Sequence, residues 1–341
     1  MQSINYHPEG GALVWTFGGA KAVLEVSPGT VMSVWSEDAF GGKIRGVEDT
    51  VATAVRPALF NPQSGPFYVI GAEPGDTIAL HFVSITPTRG FGVSAITQGF
   101  GALTSTRETA TLQQPLPEVV WVYPIDLVRQ TVTFAGRFSG ATLDLPLDPM
   151  LGTVGVAPAL GEVKSSLVPG EFGGNMDVPE LRSGATCYLG VNVPGALFSV
   201  GDGHCRQGQG ETCGAAVESA MDTVLIVDLI KKCPTLWPRL EDDGYIMSVG
   251  CARPLEDAFR IAQADLVRWV AAEAGLDLLD SYQLVSQLTE THVANVVNST
   301  YTIVAKLPKV YLESARVYGG MHSYMCEQAH LWRQVHVEAT R

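Results

Sequence analysis

Charge is scarce in this sequence, and positive charge is scarcer still. Only 17% of the 341 residues are charged, with 22 Lys and Arg against 35 Asp and Glu, for a net charge of −13 at pH 7. Soluble chains carry about 25% charged residues on average. Such an acidic surface repels polyanions, which argues against nucleic acid and anionic membrane as partners. The low charged share points to little surface per residue, as in a large compact body or a homo-oligomer. No apolar run approaches the roughly 20 residues needed to cross a bilayer. The opening stretch Met1–Glu9 lacks the basic and apolar regions of a secretory leader, so a cytoplasmic location is expected. Cysteine pairs are missing as well. Cys187, Cys205, Cys213, Cys233, Cys251 and Cys326 form no CxxC motif and read as reduced thiols. Asn298-Ser299-Thr300 matches a glycosylation acceptor, which carries little weight without a leader. Repeats, low-complexity tracts and flexible linkers are also absent, so one interlocked α+β body is expected.

What is present begins with β-structure. Gly and Pro punctuate short β-branched runs through the first two-thirds of the chain, with turn signals at Pro28-Gly29, Pro74-Gly75, Pro169-Gly170 and Pro194-Gly195. Thr77–Val83 alternates, with Ile78, Leu80 and Phe82 on one face, and reads as a half-buried strand. Val119–Tyr123, Thr131–Phe134 and Thr142–Leu145 are further strands. The runs 196–200, 223–230 and 245–249 are mostly apolar and expected to be covered on both faces. Helix comes late. Leu255, Phe259, Ala262, Leu266 and Trp269 recur at helical spacing as a core stripe, between Pro254 and Gly275. A shorter helix is expected over Asp280–Thr291 and a strand over Tyr301–Leu307. His322, His330 and His336 in the tail share no helical face and suggest surface or packing roles.

The sharpest segment is Gly201–Glu218. Five glycines fall within 14 residues, beside one Asp, one His and two Glu. Glycine loosens the backbone and forfeits packing, so this density needs a reason. A phosphate cradle is excluded by the missing P-loop lysine and by the acidic residues. Asp202 and His204 stand two apart at a strand exit and point the same way in an extended chain. A carboxylate and an imidazole on one face are a natural metal pair, suited to zinc and related ions. Cys205 and Cys213 invite a thiol nucleophile, but no lysine lies between Lys164 and Lys231 to partner one, and buried inert thiols are the better reading. Lys164-Ser165-Ser166 lacks the glycine-rich serine loop that would make it catalytic.

The segment resembles the signature of the acetamidase/formamidase family, G-D-x-H-A-x-Q-G-D-G-E-x-C-G-x-A-x-E. Further stretches match in the same order: Pro28-Gly29-Thr30-Val31 with Glu37–Gly42, Asn61–Thr77, Pro146–Pro158, and Gly173-Gly174-Asn175-Met176-Asp177. The resemblance covers about residues 20–310. Departures are Cys205, Gln209, Asn61-Pro62-Gln63-Ser64 and the tail after Lys309. What the resemblance implies is a β-rich, multi-layer β/α/β architecture with a late amphipathic helix. It implies a body over 1–310, in two intimate halves of about 1–160 and 161–310, and an extension over 311–341. It implies hydrolysis of a small carboxamide such as formamide or acetamide to the acid and ammonia, with a divalent cation, zinc first and a second ion such as calcium or magnesium beside it. By position it gives Asp38, Glu73, Asp202 and His204 as metal ligands, Glu211 and Glu218 as catalytic carboxylates, and Asn175 and Asp177 as substrate-binding residues. Glu73 and Asp38 also fit plain turn positions. The rival readings are a non-catalytic binding homologue on the same scaffold and a hydrolase of a larger or different amide.

Overall fold

The computed structural model describes residues 2–9, 12–104, 116–312 and 316–338. Among these residues the largest sheet has nine strands, in the order Ser3–Tyr6, Thr30–Ser36, Met221–Ile230, Thr77–Pro87, Thr186–Gly190, Arg239–Glu241, Tyr245–Ala252, Tyr301–Pro308 and Glu290–Asn295. A five-stranded sheet runs Gly173–Asn175, Met150–Gly155, Phe198–His204, Gln63–Val69 and Leu24–Val26. Both draw strands from either side of residue 160. A four-stranded antiparallel sheet joins Phe91–Ile96, Val119–Asp126, Thr131–Ala135 and Thr142–Pro146.

The strand Thr77–Pro87 shows how the layers stack. Ile78, Leu80 and Phe82 pack against Phe67, Phe198 and Val200 of the five-stranded sheet. Ala79 and Val83 on the opposite face pack with Met325 and Ala329 of the helix Met321–Glu338. The half-buried reading of Thr77–Val83 is therefore corrected, because every residue in it is buried. The alternation there separates two kinds of cover and not core from water. Farther along the sheet, Ile246, Ile303, Ala305 and Leu307 receive Ala262, Leu266 and Trp269 of the helix Leu255–Ala274. That helix has Glu256 and Asp257 in its first turn, favoured by the helix dipole, and ends on Gly275 at φ 65°.

Two further expectations are corrected. Phe259, placed in the core stripe, is 46% exposed. The second late helix is Leu278–Leu288, capped by Asp277 accepting the Leu279 amide, and Glu290–Asn295 is a strand. The tail forms a helix from Met321 and buries His322, while His330 is exposed. The side chain of His336 lies outside the described residues. No described helix is long and apolar enough to cross a membrane.

Candidate active site

The strand Phe198–His204 lies in the middle of the five-stranded sheet, pairing with Met150–Gly155 and Gln63–Val69. A returning segment, Val217–Ser219, bonds antiparallel to its end. The Cys205 amide donates to Val217 O and the Ser219 amide to Gly203 O. This close approach explains the Gly-Asp-Gly-His spacing: a Cβ on Gly203 would lie 2.1 Å from Met221 Cγ. Asp202 and His204 thus come against Glu218, and the His204 Nε2 atom is 3.4 Å from Asp202 Oδ1 and 3.2 Å from Glu218 Oε2.

Each of those carboxylates is anchored by one oxygen and aimed by the other. Asp202 Oδ2 accepts from Asn61 Nδ2 and Thr153 Oγ1, both at 3.0 Å. Asn175 faces the same oxygen at 2.7 Å and Asp177 Oδ1 at 3.2 Å, donating to both with its amide nitrogen turned toward them. Glu218 Oε1 accepts the Ala216 amide at 2.8 Å, whereas its buried Oε2 accepts no hydrogen bond. On the other side of the ring, His204 Nδ1 is 2.9 Å from Gln207 Oε1. Gln207 Nε2 donates to the Asp177 and Ala294 carbonyls, so its oxygen must be the acceptor and His204 Nδ1 the donor.

Glu211 and Asp177 form the second part of the cluster. Their carboxyl groups share a hydrogen bond, and Asp177 Oδ2 accepts from Asn298 Nδ2 at 2.8 Å. The groups Asp202–His204–Glu218 and Asp177–His204–Glu211 each bring their ligand-type atoms within 4.8 Å of one another. Gly152 makes the floor. A Cβ there would stand 2.5 Å from Asp202 Oδ2, 2.6 Å from Asp177 Oδ1 and 2.8 Å from His204 Cε1. Asn61, Asp177, Asp202 and Glu211 all hold left-handed backbone conformations, φ 47° to 58°. Non-glycine residues there are uncommon, and their concentration marks a functional centre.

Burial sets the electrostatics. Four acids, Asp177, Asp202, Glu211 and Glu218, surround one imidazole, all nearly sealed from solvent. Burial pushes Glu211 up to about 8 and Glu218 to about 7. Asp177 is held well above the carboxylate range by burial and then by Glu211 and Asp202. Burial alone would lower His204, but the charges of Glu218 and Asp202 outweigh it and hold the ring well above its usual range. Buried negative charge is tolerated only with a counter-charge. One imidazole does not balance four acids, so a divalent cation suits the cluster, and Glu218 Oε2, which faces His204 Nε2 without a hydrogen bond, is aimed where one would sit.

A small cavity opens on this cluster. Asp202, Glu211 and Glu218 line it together with Phe40, Phe60 and Phe100. The Phe60 ring meets those of Phe40 and Phe100 edge-on, with centroids 6.1 and 5.6 Å apart.

Of the residues named from the sequence, the structure brings together Asp202, His204, Glu211, Glu218, Asn175 and Asp177. Asp38 and Glu73 stand apart. Asp38 is buried, but its carboxylate pairs with Arg89 at 2.5 Å and accepts the Phe40 and Gly42 amides. It shapes the loop whose Ala39 carbonyl accepts the Asn61 amide and whose Phe40 lines the cavity. Glu73 is exposed on the turn before Asp76, which accepts its amide. Asn61, Thr153, Gln207 and Asn298 were not among the sequence candidates. Gln207 lies inside the quoted signature, and Asn298 had drawn notice only as a glycosylation acceptor, a role its burial opposes. The Cys205 thiol, pushed up to about 12 by burial, is no nucleophile at neutral pH.

A family model described as the Acetamidase/Formamidase family matches residues 160–242. The fold is similar to the crystal structure of an acetamidase from Yersinia enterocolitica, with 41% identity and TM-score 0.83 over 88% of this chain and 89% of that one. It is also similar to an acetamidase from Bacillus halodurans, with 28% identity and TM-score 0.79 over 89% and 97%. An acetamidase of Mycolicibacterium smegmatis is 29% identical over 268 residues, 62% of this chain and 64% of that protein. The matched stretches span 55% and 64% of the curated relatives.

Proposed function

We propose that this chain, which belongs to the acetamidase/formamidase family, hydrolyses the C–N bond of a small neutral carboxamide, giving the carboxylic acid and ammonia. Asp202, His204 and Glu218 would hold a divalent cation, zinc by the chemistry of this imidazole and carboxylate donor set. The observation that carries this reading is the pairing of Asp202 Oδ1 and Glu218 Oε2 on His204 Nε2, with Nδ1 committed to Gln207. Metal-bound histidines are oriented in this way through their other nitrogen. Glu218 thereby moves from the catalytic role expected of it to that of a ligand.

When bound, such a cation supplies Lewis acidity, lowering the pKa of water from 15.7 to about 7 and polarising a carbonyl. The remaining work falls to the chain itself. Glu211 lines the cavity beside the three would-be ligands, where a carboxylate can exchange a proton with bound substrate and water. It takes a proton from the attacking water and returns it to the leaving nitrogen as the C–N bond breaks. Asp177 shares its proton with Glu211 and keeps that carboxyl in place. Asn175 and Asn298, both lining the cavity, orient the substrate amide. The phenylalanines exclude water and charge, and confine the acyl group to a small apolar substituent.

The test is ammonia release from formamide, acetamide and bulkier amides, with metal analysis of the same protein. His204→Ala should lose metal and activity together while its circular dichroism is unchanged. Full activity in a metal-replete His204→Ala protein refutes the role given to His204. A wild-type protein with neither metal nor ammonia release supports a binding homologue.

A further inference from the structure

Among the described residues, a further group of ligand-type side chains converges outside the active site: His81, His322 and Cys326. We propose that these residues form a second metal site, suited to zinc or a similar borderline cation, which fastens the C-terminal helix to the nine-stranded sheet. His81 comes from the strand Thr77–Pro87. His322 and Cys326 are one turn apart on the helix Met321–Glu338 and so share a face.

The geometry is specific. One ring nitrogen of each histidine and the Cys326 sulfur lie within 4.8 Å of one another. Thr186 Oγ1 is 2.9 Å from His81 Nδ1 and 2.8 Å from His322 Nδ1. A hydroxyl has two lone pairs, enough to accept from both Nδ1–H groups. In that arrangement Nε2 of each ring carries the lone pair, with Thr186 as the orienting partner. His322 Nε2 is 3.5 Å from Cys326 Sγ and 3.3 Å from Asp243 Oδ1. Around a tetrahedral zinc with bonds of about 2.0–2.3 Å, ligand atoms are separated by roughly 3.4–3.6 Å. Both distances approximate edges of such a tetrahedron; Asp243, which stands outside the convergent group of three, or water would fill the fourth position.

The setting suits entry from solvent. Both imidazoles are buried, Cys326 is partly exposed, and Asp243 is open. Two nitrogens and a sulfur favour zinc over calcium or magnesium. The nearby cations, Arg333 beside His81 and Lys309 near Cys326, are set against Asp243 and Glu241. Without metal, burial holds the Cys326 thiol up at about 11, so metal binding must release its proton.

The experiment is cobalt titration of the full chain after chelation. The sulfur-free cluster around His204 cannot give a thiolate-to-cobalt charge-transfer band. The band should appear in wild-type protein, persist in His204→Ala, and vanish in Cys326→Ser. A second reading needs no variant: zinc should slow iodoacetamide labelling of Cys326 at least tenfold, located by peptide mapping. A band that survives Cys326→Ser, no band in folded wild-type protein, or labelling unchanged by zinc overturns the proposal and leaves a metal-free hydrogen-bonded cluster.

Discussion

Gln207 Oε1 accepts a hydrogen bond from His204 Nδ1 at 2.9 Å, while the Gln207 amide nitrogen is tied to two backbone carbonyls. The imidazole therefore carries a proton on Nδ1 and is held in one orientation, with Nε2 turned to Asp202 and Glu218. Gln207→Leu removes the acceptor but roughly keeps the volume. Partners of this kind are worth about 10–100-fold in metal affinity. Zinc competition against a chromophoric chelator should show a loss of that size, and unchanged affinity would make Gln207 a packing residue.

Gly152 tests the floor of the site. Its backbone is ordinary strand, so the added methyl of Gly152→Ala acts through space alone. Overpacking of this kind costs about 1–3 kcal/mol. Activity should fall at least a hundredfold, because the displaced atoms are the Asp202 and Asp177 carboxylates and the His204 ring. Retention of wild-type kcat would show that the cluster yields without functional cost.

The raised carboxyls set a pH dependence with a definite sign. Glu211 near 8 and Glu218 near 7 exceed the value of about 4.3 for an unfolded glutamate. The folded, chelated protein binds protons that the unfolded chain has released. Stability from these groups is complete below about pH 4 and is lost as pH rises through 7 and 8. A bound cation takes over the role of those protons. The melting midpoint of chelated protein should fall between about pH 5 and pH 8.5, and zinc should restore most of the loss at the upper end. Parallel pH profiles with and without zinc would contradict this.

Phe100 lines the cavity with Phe40 and Phe60. Phe100→Ala should widen the acyl end and reduce the preference for acetamide over butyramide. A methylene in an apolar pocket is worth about 1–3 kcal/mol, or roughly 10–200-fold in kcat/KM. An unchanged ratio would place acyl selection elsewhere.

Much of the centre was legible in the sequence, for identifiable reasons. Asp202 and His204 announced themselves because their glycines mark close backbone approach, whereas the left-handed backbone at Asp202 departs from the extended strand the sequence suggested. Glu211, Glu218, Asn175 and Asp177 followed from ordered motifs. Asp38 and Glu73 shared those motifs, yet local chemistry claims them: an arginine for one and an exposed turn for the other. No short-range pattern reports that Arg89 will reach Asp38 across 51 residues. Asn61, Thr153 and Asn298 were hidden because their partners come from distant strands. The double burial of Thr77–Val83 was hidden likewise, since a tail helix supplies the second cover.

The central claim is that Asp202, His204 and Glu218 hold a cation together. The most direct measurement is an anomalous difference map, at the zinc edge, from a crystal grown with zinc. A peak within about 2.0–2.2 Å of Asp202 Oδ1, His204 Nε2 and Glu218 Oε2 is the expected result. A map flat at that point, with His204 Nε2 still lying against the two carboxylates as it does here, would contradict it.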